Sequence, residues 1–162
     1  MKLIVAVSEN WGIGNENKLL FSIPQDMKFF RETTKDSVVI MGKKTLESFP
    51  GKKPLKNRVN IVLTSHMDYA VEGAVICHSI QDAVENSKKY DKEVFVIGGE
   101  TVYREFLPFC DTAYITKVHA DAPADTFFPN LDEKPEWELS EKSETYDDNG
   151  YKFEFCTYKK IQ

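Results

Sequence analysis

Cysteine is scarce in this 162-residue chain. Cys77, Cys110 and Cys156 are an odd number with no C-x-x-C pair. That pattern argues against a disulfide framework or a zinc site and for reduced, buried small hydrophobes. Long apolar runs are missing too. The longest, Leu3 to Val7, falls far short of the roughly 20 residues of a spanning helix. Only Lys2 precedes it and Ser8 and Glu9 follow, which is not the shape of a signal peptide. The expected compartment is therefore the cytoplasm, with no membrane partner. Nor is there an excess of positive charge. The 26 acidic and 21 basic side chains leave a formal charge of −5. The scattered lysines and arginines make no broad field for a phosphate backbone, so no nucleic-acid partner is expected. Repeats, low-complexity tracts and linkers are absent. One domain over residues 1–162 and a monomeric state are the expectations.

What is present is an alternation of elements. Leu3 to Val7, Val38 to Met41, Val59 to Leu63, Val75 to Cys77 and Val94 to Ile97 are short runs rich in Val and Ile. Such runs suit strands of a parallel sheet buried on both faces. Between them the pattern predicts helices at about 25 to 34, about 43 to 49, about 80 to 89 and about 101 to 107. Ser22 with Gln25 and Ser79 with Asp82 carry capping-box spacing at two helix starts. Trp137 to Glu144 and Tyr151 to Lys159 alternate polar and apolar residues around Asp148-Asn149-Gly150, a hairpin turn signal, so the last strands should be antiparallel. The expected fold class is α/β: doubly wound, mostly parallel, with helices on both faces.

Three glycine sites invite a nucleotide. Gly12-Ile13-Gly14 begins like G-x-G-x-x-G, but Asn17 holds the third position and no helix follows until about Pro24, so the Rossmann fingerprint fails. Gly42-Lys43-Lys44-Thr45 resembles the end of a P-loop, yet Ser37 stands at the first Gly and Lys44 at the Ser/Thr position. What survives is a strand, Gly42 and a short helix whose free N–H groups, with Lys43, Lys44 and the Thr45 hydroxyl, suit a phosphate. Ile97-Gly98-Gly99-Glu100 again joins a strand to a helix, and its glycines let a ligand approach the backbone. Either site alone is more readily a tight turn. Two at the carboxyl edge of one sheet favour a pyrophosphate-bridged cofactor. The strand Val59 to Leu63 ends in Thr64-Ser65-His66 rather than the acid that takes an NAD ribose. Those hydroxyls and the histidine, with Lys43, suit a 2′-phosphate and so NADP; a simple turn is the competing reading.

The helix after Pro24 sets Asp26, Met27, Phe30 and Thr34 on one stripe. An acid thus interrupts an apolar face. A solvated first-turn carboxylate is the bland alternative. A buried one needs a partner; no Lys or Arg is spaced to supply it, and a ligand with two adjacent N–H donors would.

These motifs, in their order and spacing, resemble bacterial dihydrofolate reductases over essentially the whole chain. The resemblance rests on Ile4-Val5-Ala6, Gly12 to Asn17, Pro24-x-Asp26, Ile40-Met41-Gly42-Lys43-x-Thr45, Arg58, Ile97-Gly98-Gly99 with Tyr103, and Asp125-Thr126-x-Phe128-Pro129. It implies an eight-stranded, mostly parallel sheet with a reversed final strand, and reduction of 7,8-dihydrofolate by NADPH in support of one-carbon metabolism. It implies that Asp26, supported by Thr116, accepts hydrogen bonds from the pterin 2-amino group and N3, a charge-assisted pairing. Ile4, Val5, Met27, Phe30, Arg31, Phe49 and Ile97 would line the substrate site, and Arg58 would clamp the glutamate α-carboxylate with its planar fork.

By the same resemblance, Ala6, Ile13 and Gly14 would meet the nicotinamide end of NADPH, and Asn17, Lys18 and Leu19 would also contact the cofactor. Gly42, Lys43, Lys44 and Thr45 would take phosphate, with Thr64, Ser65 and His66 at the ribose and His78 near the adenine. Gly98, Gly99, Glu100, Thr101, Val102 and Tyr103 would complete the cofactor site. The long loop from Glu9 to Ser22 would close over the nicotinamide. Antifolates are expected inhibitors. The chain departs from the commonest bacterial pattern at Leu20-Phe21 (usually Pro-Trp), at Lys43 (often Arg), at Thr101 (Arg in some members) and at Lys52-Lys53. Phe21 lacks the indole donor and Lys43 the guanidinium fork. Two other functions compete: a same-fold NADPH reductase of a riboflavin-pathway intermediate, and a non-catalytic nucleotide-binding domain. Neither has a use for Asp26 together with Arg58.

Overall fold

In the computed structural model, which describes residues 1–161, the chain alternates strands and helices and then ends in strands. The order is β1 (Lys2–Val7), β2 (Gly12–Asn15), β3 (Lys18–Leu19), α1 (Pro24–Thr34), β4 (Val38–Gly42), α2 (Lys43–Glu47), β5 (Val59–Leu63), β6 (Ala74–Cys77), α3 (Ile80–Ser87), β7 (Val94–Gly98), α4 (Glu100–Phe106), β8 (Thr112–Val118), β9 (Thr126–Phe127), β10 (Trp137–Lys142), β11 (Tyr146–Asp148) and β12 (Tyr151–Lys160). The large sheet runs β10, β12, β8, β1, β7, β4, β5, β6, with β11 paired to β12. From β8 to β6 every pairing is parallel. β12 runs antiparallel to both β8 and β10. The expected architecture, parallel with a reversed C-terminal strand, is the observed one.

The Val/Ile-rich runs lie where burial on both faces requires them. Val38, Val39, Ile40 and Met41 are all fully buried. Alternation along β1 divides the core between the sheet's faces. Leu3, Val5 and Val7 pack with Ala83 of α3 and with Val102, Tyr103 and Phe106 of α4, whereas Ile4 packs on the side where Phe29 and Phe30 of α1 cover the sheet. Cys77, Cys110 and Cys156 are free and buried, as expected.

Four expectations need correction. Ser22 does not cap α1: the N-cap position is Ile23, with no side-chain bond, and Pro24 fills the first turn without an N–H to offer. The Gln25 N–H is met instead by Asp148 Oδ2 at 2.9 Å, from the β11–β12 turn. Ser79 does cap α3, accepting from the Asp82 N–H at 3.0 Å. Next, the segment Glu9 to Ser22 is not a plain loop, because β2 and β3 pair within it and β2 also pairs with β9, forming a second small sheet. Third, the strand read over Trp137 to Glu144 stops at Lys142 after a bulge between Leu139 and Glu141. Last, the partner of β12 across the Asp148-Asn149-Gly150 turn is β11, with Asp148 opposite Tyr151 and positive φ at Asn149 (51°) and Gly150 (84°).

Candidate active site at the carboxyl edge of the sheet

Parallel strands bring the ends of β1, β4, β5, β7 and β8 to one edge, where ligands of open α/β sheets bind. Asp26 is delivered there by α1 and Thr116 by β8, directly opposite Ala6 of β1. The Thr116 hydroxyl donates to Asp26 Oδ1 at 2.6 Å. Among the described residues no cation pairs with Asp26. Burial pushes its carboxyl up from the ordinary range, and the Thr116 hydrogen bond opposes that only in part. The site therefore holds an acid whose charge is costly until a donor-rich ligand meets it.

Around Asp26, Ile4 and Ile97 are buried sheet residues, and Phe30 and Phe49 pack against the same cluster. Met27 lies on α1's open side, 49% exposed. Val5 points to the opposite face of the sheet and joins the other core, so it meets this cleft through its backbone only. Tyr103, buried, donates its hydroxyl proton to the Ile4 carbonyl at 2.7 Å and ties α4 to the centre of β1. At the far end of α1, Arg58 Nε donates to Thr34 Oγ1 at 2.9 Å, while NH1 and NH2 donate to the carbonyls of Lys56 and Arg31 at 2.8 and 3.2 Å. Arg31 thus acts through its backbone as a support for Arg58. Thr34 was read as part of the apolar stripe, and its hydroxyl is what orients the guanidinium.

The two glycine turns read as phosphate sites are neighbours. Met41 of β4 lies opposite Gly98 of β7. A Cβ on Gly98 or Gly99 would sit 3.4 or 3.6 Å from Thr45 Oγ1, and one on Gly42 only 3.2 Å from Val102. Gly98 has φ +133°, a conformation L side chains rarely adopt. Thr45, the start of α2 and the start of α4 therefore surround one point. At the end of β5, Thr64 Oγ1 accepts from the His66 N–H at 3.1 Å, and His78 Nδ1 lies 2.8 Å from the Thr64 carbonyl oxygen. Lys43 Nζ stands 5.2 Å from the Tyr69 ring centroid. Tyr69 was not singled out in the sequence; its only signal is an aromatic four residues beyond the end of Thr64-Ser65.

Glu100, read as a cofactor residue, directs its carboxylate elsewhere. Oε2 accepts from the Phe127 N–H of β9 at 2.5 Å and Oε1 lies 3.6 Å from Arg104. Within the segment over the edge, Asn17 donates to the Lys44 carbonyl at 3.0 Å, while Lys18 and Leu19 are exposed. Asp125 receives the Glu16 N–H at 2.9 Å and donates its own N–H to Gly14. Phe21 packs edge-on against Tyr151, ring centroids 5.0 Å apart.

A dinucleotide with a 2′-phosphate fits this donor set. The glycine turns present bare backbone, Thr45, Thr64 and Ser65 offer hydroxyls, and Lys43 and Lys44 offer positive charge. The fold and site thus define an α/β enzyme that sets a nucleotide cofactor beside a half-buried acid. A family model described as dihydrofolate reductase matches residues 1–160. The dihydrofolate reductase of Bacillus subtilis is 36% identical over 162 residues, covering 99% of this chain and 94% of that protein. That of Staphylococcus haemolyticus is 35% identical over 164 residues, covering 100% and 96%. A structure of dihydrofolate reductase from Enterococcus faecalis, complexed with NADP(H) and RAB-propyl, superposes with a TM-score of 0.90 at 36% identity, covering 99% of this chain and 96% of that one. The chain belongs to the dihydrofolate reductase family.

Proposed function

We propose that this chain reduces 7,8-dihydrofolate to 5,6,7,8-tetrahydrofolate with NADPH, as one catalytic unit over residues 1–162 that acts as a cytoplasmic monomer. The observation that carries the reading is Asp26: a carboxyl held by Thr116 at the carboxyl edge, raised by burial and, among the described residues, without a cation of its own. When bound, NADPH supplies the hydride that the pterin C6 accepts. Asp26 accepts hydrogen bonds from the pterin 2-amino group and N3. Its negative charge favours the protonated ring, the form that takes hydride most readily. Thr116 fixes the orientation of the carboxyl. Phe30, Phe49 and Met27 pack against the ring system and exclude water. Arg58, steadied by Thr34, grips the α-carboxylate at the other end of the substrate. Lys43, Thr45 and the Thr64 to His66 segment hold the phosphates and ribose, with Gly98, Gly99 and the α4 backbone beside them. β2, paired with β9, carries Ile13 and Gly14, which would line the nicotinamide end.

The test is nicotinamide absorbance during incubation of the purified protein with NADPH and dihydrofolate, with controls lacking folate and containing methotrexate. Folate-dependent, inhibitor-sensitive oxidation is expected. Binding of NADPH without its consumption would contradict the reading. Size-exclusion chromatography checks the monomer.

A further inference from the structure

Glu100 reaches from α4 to the small sheet, and its carboxylate is engaged at both oxygens. Oε2 accepts from the Phe127 N–H of β9 at 2.5 Å, and Oε1 lies 3.6 Å from Arg104, one turn further along the helix. The side chain is only 27% exposed. Tyr103, three residues on and so on the same helix face, sets its ring edge-on against Phe128 with centroids 5.2 Å apart. α4 therefore holds two consecutive residues of the β9 segment, Phe127 by a charge-assisted hydrogen bond and Phe128 by packing.

β9 is in turn locked to β2. The Asp125 and Phe128 N–H groups donate to the Gly14 and Trp11 carbonyls at 3.0 and 2.8 Å. A Cβ on Gly12 would lie 2.8 Å from Ala124 Cβ, and one on Gly14 would lie 2.9 Å from Thr126 Oγ1. The two strands thus pack with no slack, and a shift of one carries the other with it. Ile13 and Gly14 of β2 are read as lining the nicotinamide end of the cofactor site, whereas α4 follows the Gly98-Gly99 turn read as its phosphate end. Glu100 is the hydrogen-bonded link from one end to the other.

We propose that Glu100 is a positioning residue that couples the two ends of the cofactor site: through Phe127 it holds β2 and β9 at the nicotinamide end when α4 is fixed at the phosphate end. The proposal rests on the reading of both ends as cofactor contacts. Coupling of this kind is reciprocal, so a ligand that touches both ends gains from the link and one that touches the phosphate end alone does not. Loss of the link should cost the first ligand about 2- to 12-fold in relative affinity, the share of one hydrogen bond.

The experiment titrates the full chain by calorimetry with NADPH and with adenosine 2′,5′-bisphosphate, which carries a 2′-phosphate but no nicotinamide. Amide hydrogen exchange over residues 12–15 is followed in the NADPH complex. The ratio of the two affinities is the readout, because a change in local charge or in overall stability moves both ligands alike. Glu100→Ala should reduce the preference for NADPH by that factor and speed exchange at 12–15. Glu100→Gln, which keeps an acceptor for the Phe127 N–H, should retain most of the preference. Glu105→Ala, which removes an exposed acid from the same helix, should leave the ratio as it was. An unchanged ratio in Glu100→Ala, or exchange at 12–15 that does not respond, would overturn the coupling while leaving the cofactor site standing. Failure of the unaltered protein to bind NADPH would instead overturn the functional reading itself.

Discussion

The backbone N–H of Gln25 donates to Asp148 Oδ2 at 2.9 Å across 123 residues of sequence. Beside it, Asn149 Nδ2 donates to the Ser22 carbonyl at 2.7 Å. The β11–β12 turn thus clamps the first turn of the helix that carries Asp26, and its carboxylate complements the helix dipole there. Asp148→Ala should lower stability by about 0.5 to 2 kcal/mol, the usual cost of losing an N-cap. Asp148→Asn should recover most of it. Urea denaturation of the three proteins checks this, and equal midpoints would show that solvent satisfies Gln25 just as well.

Asp26→Asn should separate stability from activity. The carboxyl's folded pKa is raised, so the native state holds its proton more tightly than the unfolded chain does. This acid therefore costs stability once the pH rises past its folded value, and the cost disappears below its ordinary unfolded range. The amide keeps an oxygen for the Thr116 hydroxyl and carries no charge. At neutral pH the variant should melt higher than the parent, with the difference shrinking as the solution is acidified. Its turnover should fall by about 10²- to 10⁴-fold, the range for a positioned acid or base. Melting curves across pH and steady-state rates test the two halves separately.

Glu154 titrates the other way. Burial disfavours its charge, but the Thr145 hydroxyl at 3.1 Å, His119 Nε2 at 3.0 Å and Lys142 at 3.5 Å together hold its carboxyl below the ordinary value. Such a group adds stability above the unfolded pKa and loses it as the pH falls through the folded one. Glu154→Gln should thus lower the melting temperature at neutral pH and lose that deficit in acid. A deficit independent of pH would point to packing rather than charge.

Gly98→Ala forces a side chain into φ +133° beside Thr45. Strain of this kind costs on the order of 1 to 3 kcal/mol. The expected outcome is weaker NADPH binding by fluorescence titration, together with a lower melting temperature. Unchanged NADPH affinity would mean that this turn lies away from the cofactor.

Lys43→Ala should lower kcat/KM for NADPH far more than for NADH, because only NADPH carries the 2′-phosphate. Tyr69→Leu should repeat a smaller part of that effect, since its ring stands against the lysine ammonium. An equal loss with both cofactors would move Lys43 away from the ribose.

Much of this was readable from local pattern. Unbroken Val/Ile runs such as Val38 to Met41 announce double burial, and the Asp26 stripe shows an acid on a helix face that must be covered. What stayed hidden depends on partners distant in sequence. Ser22 and Gln25 have the spacing of a capping box, yet the N–H goes to a residue that only the folded sheet brings near. β2 is too glycine-rich and β3 too short to signal strands, and β2 is held between β3 and β9, a strand more than 100 residues further on. Glu100 follows Gly98-Gly99 as a phosphate-site residue would, but its carboxylate is taken by Phe127, 27 positions away. The bulge in β10 leaves no mark in a sequence that alternates cleanly on both sides of it.

The position of β1 sets a schedule for biosynthesis. Among the described residues β1 pairs only with β7 and β8, so Leu3 to Val7 have no sheet neighbour until residues 94–118 have been made. Until then the nascent chain carries a bare apolar strand, and closure of the sheet's centre comes late because the loop joining those partners is long. Exposed strands of this kind invite intermolecular pairing, so the interval before β7 and β8 emerge is the one in which the growing chain is most open to aggregation.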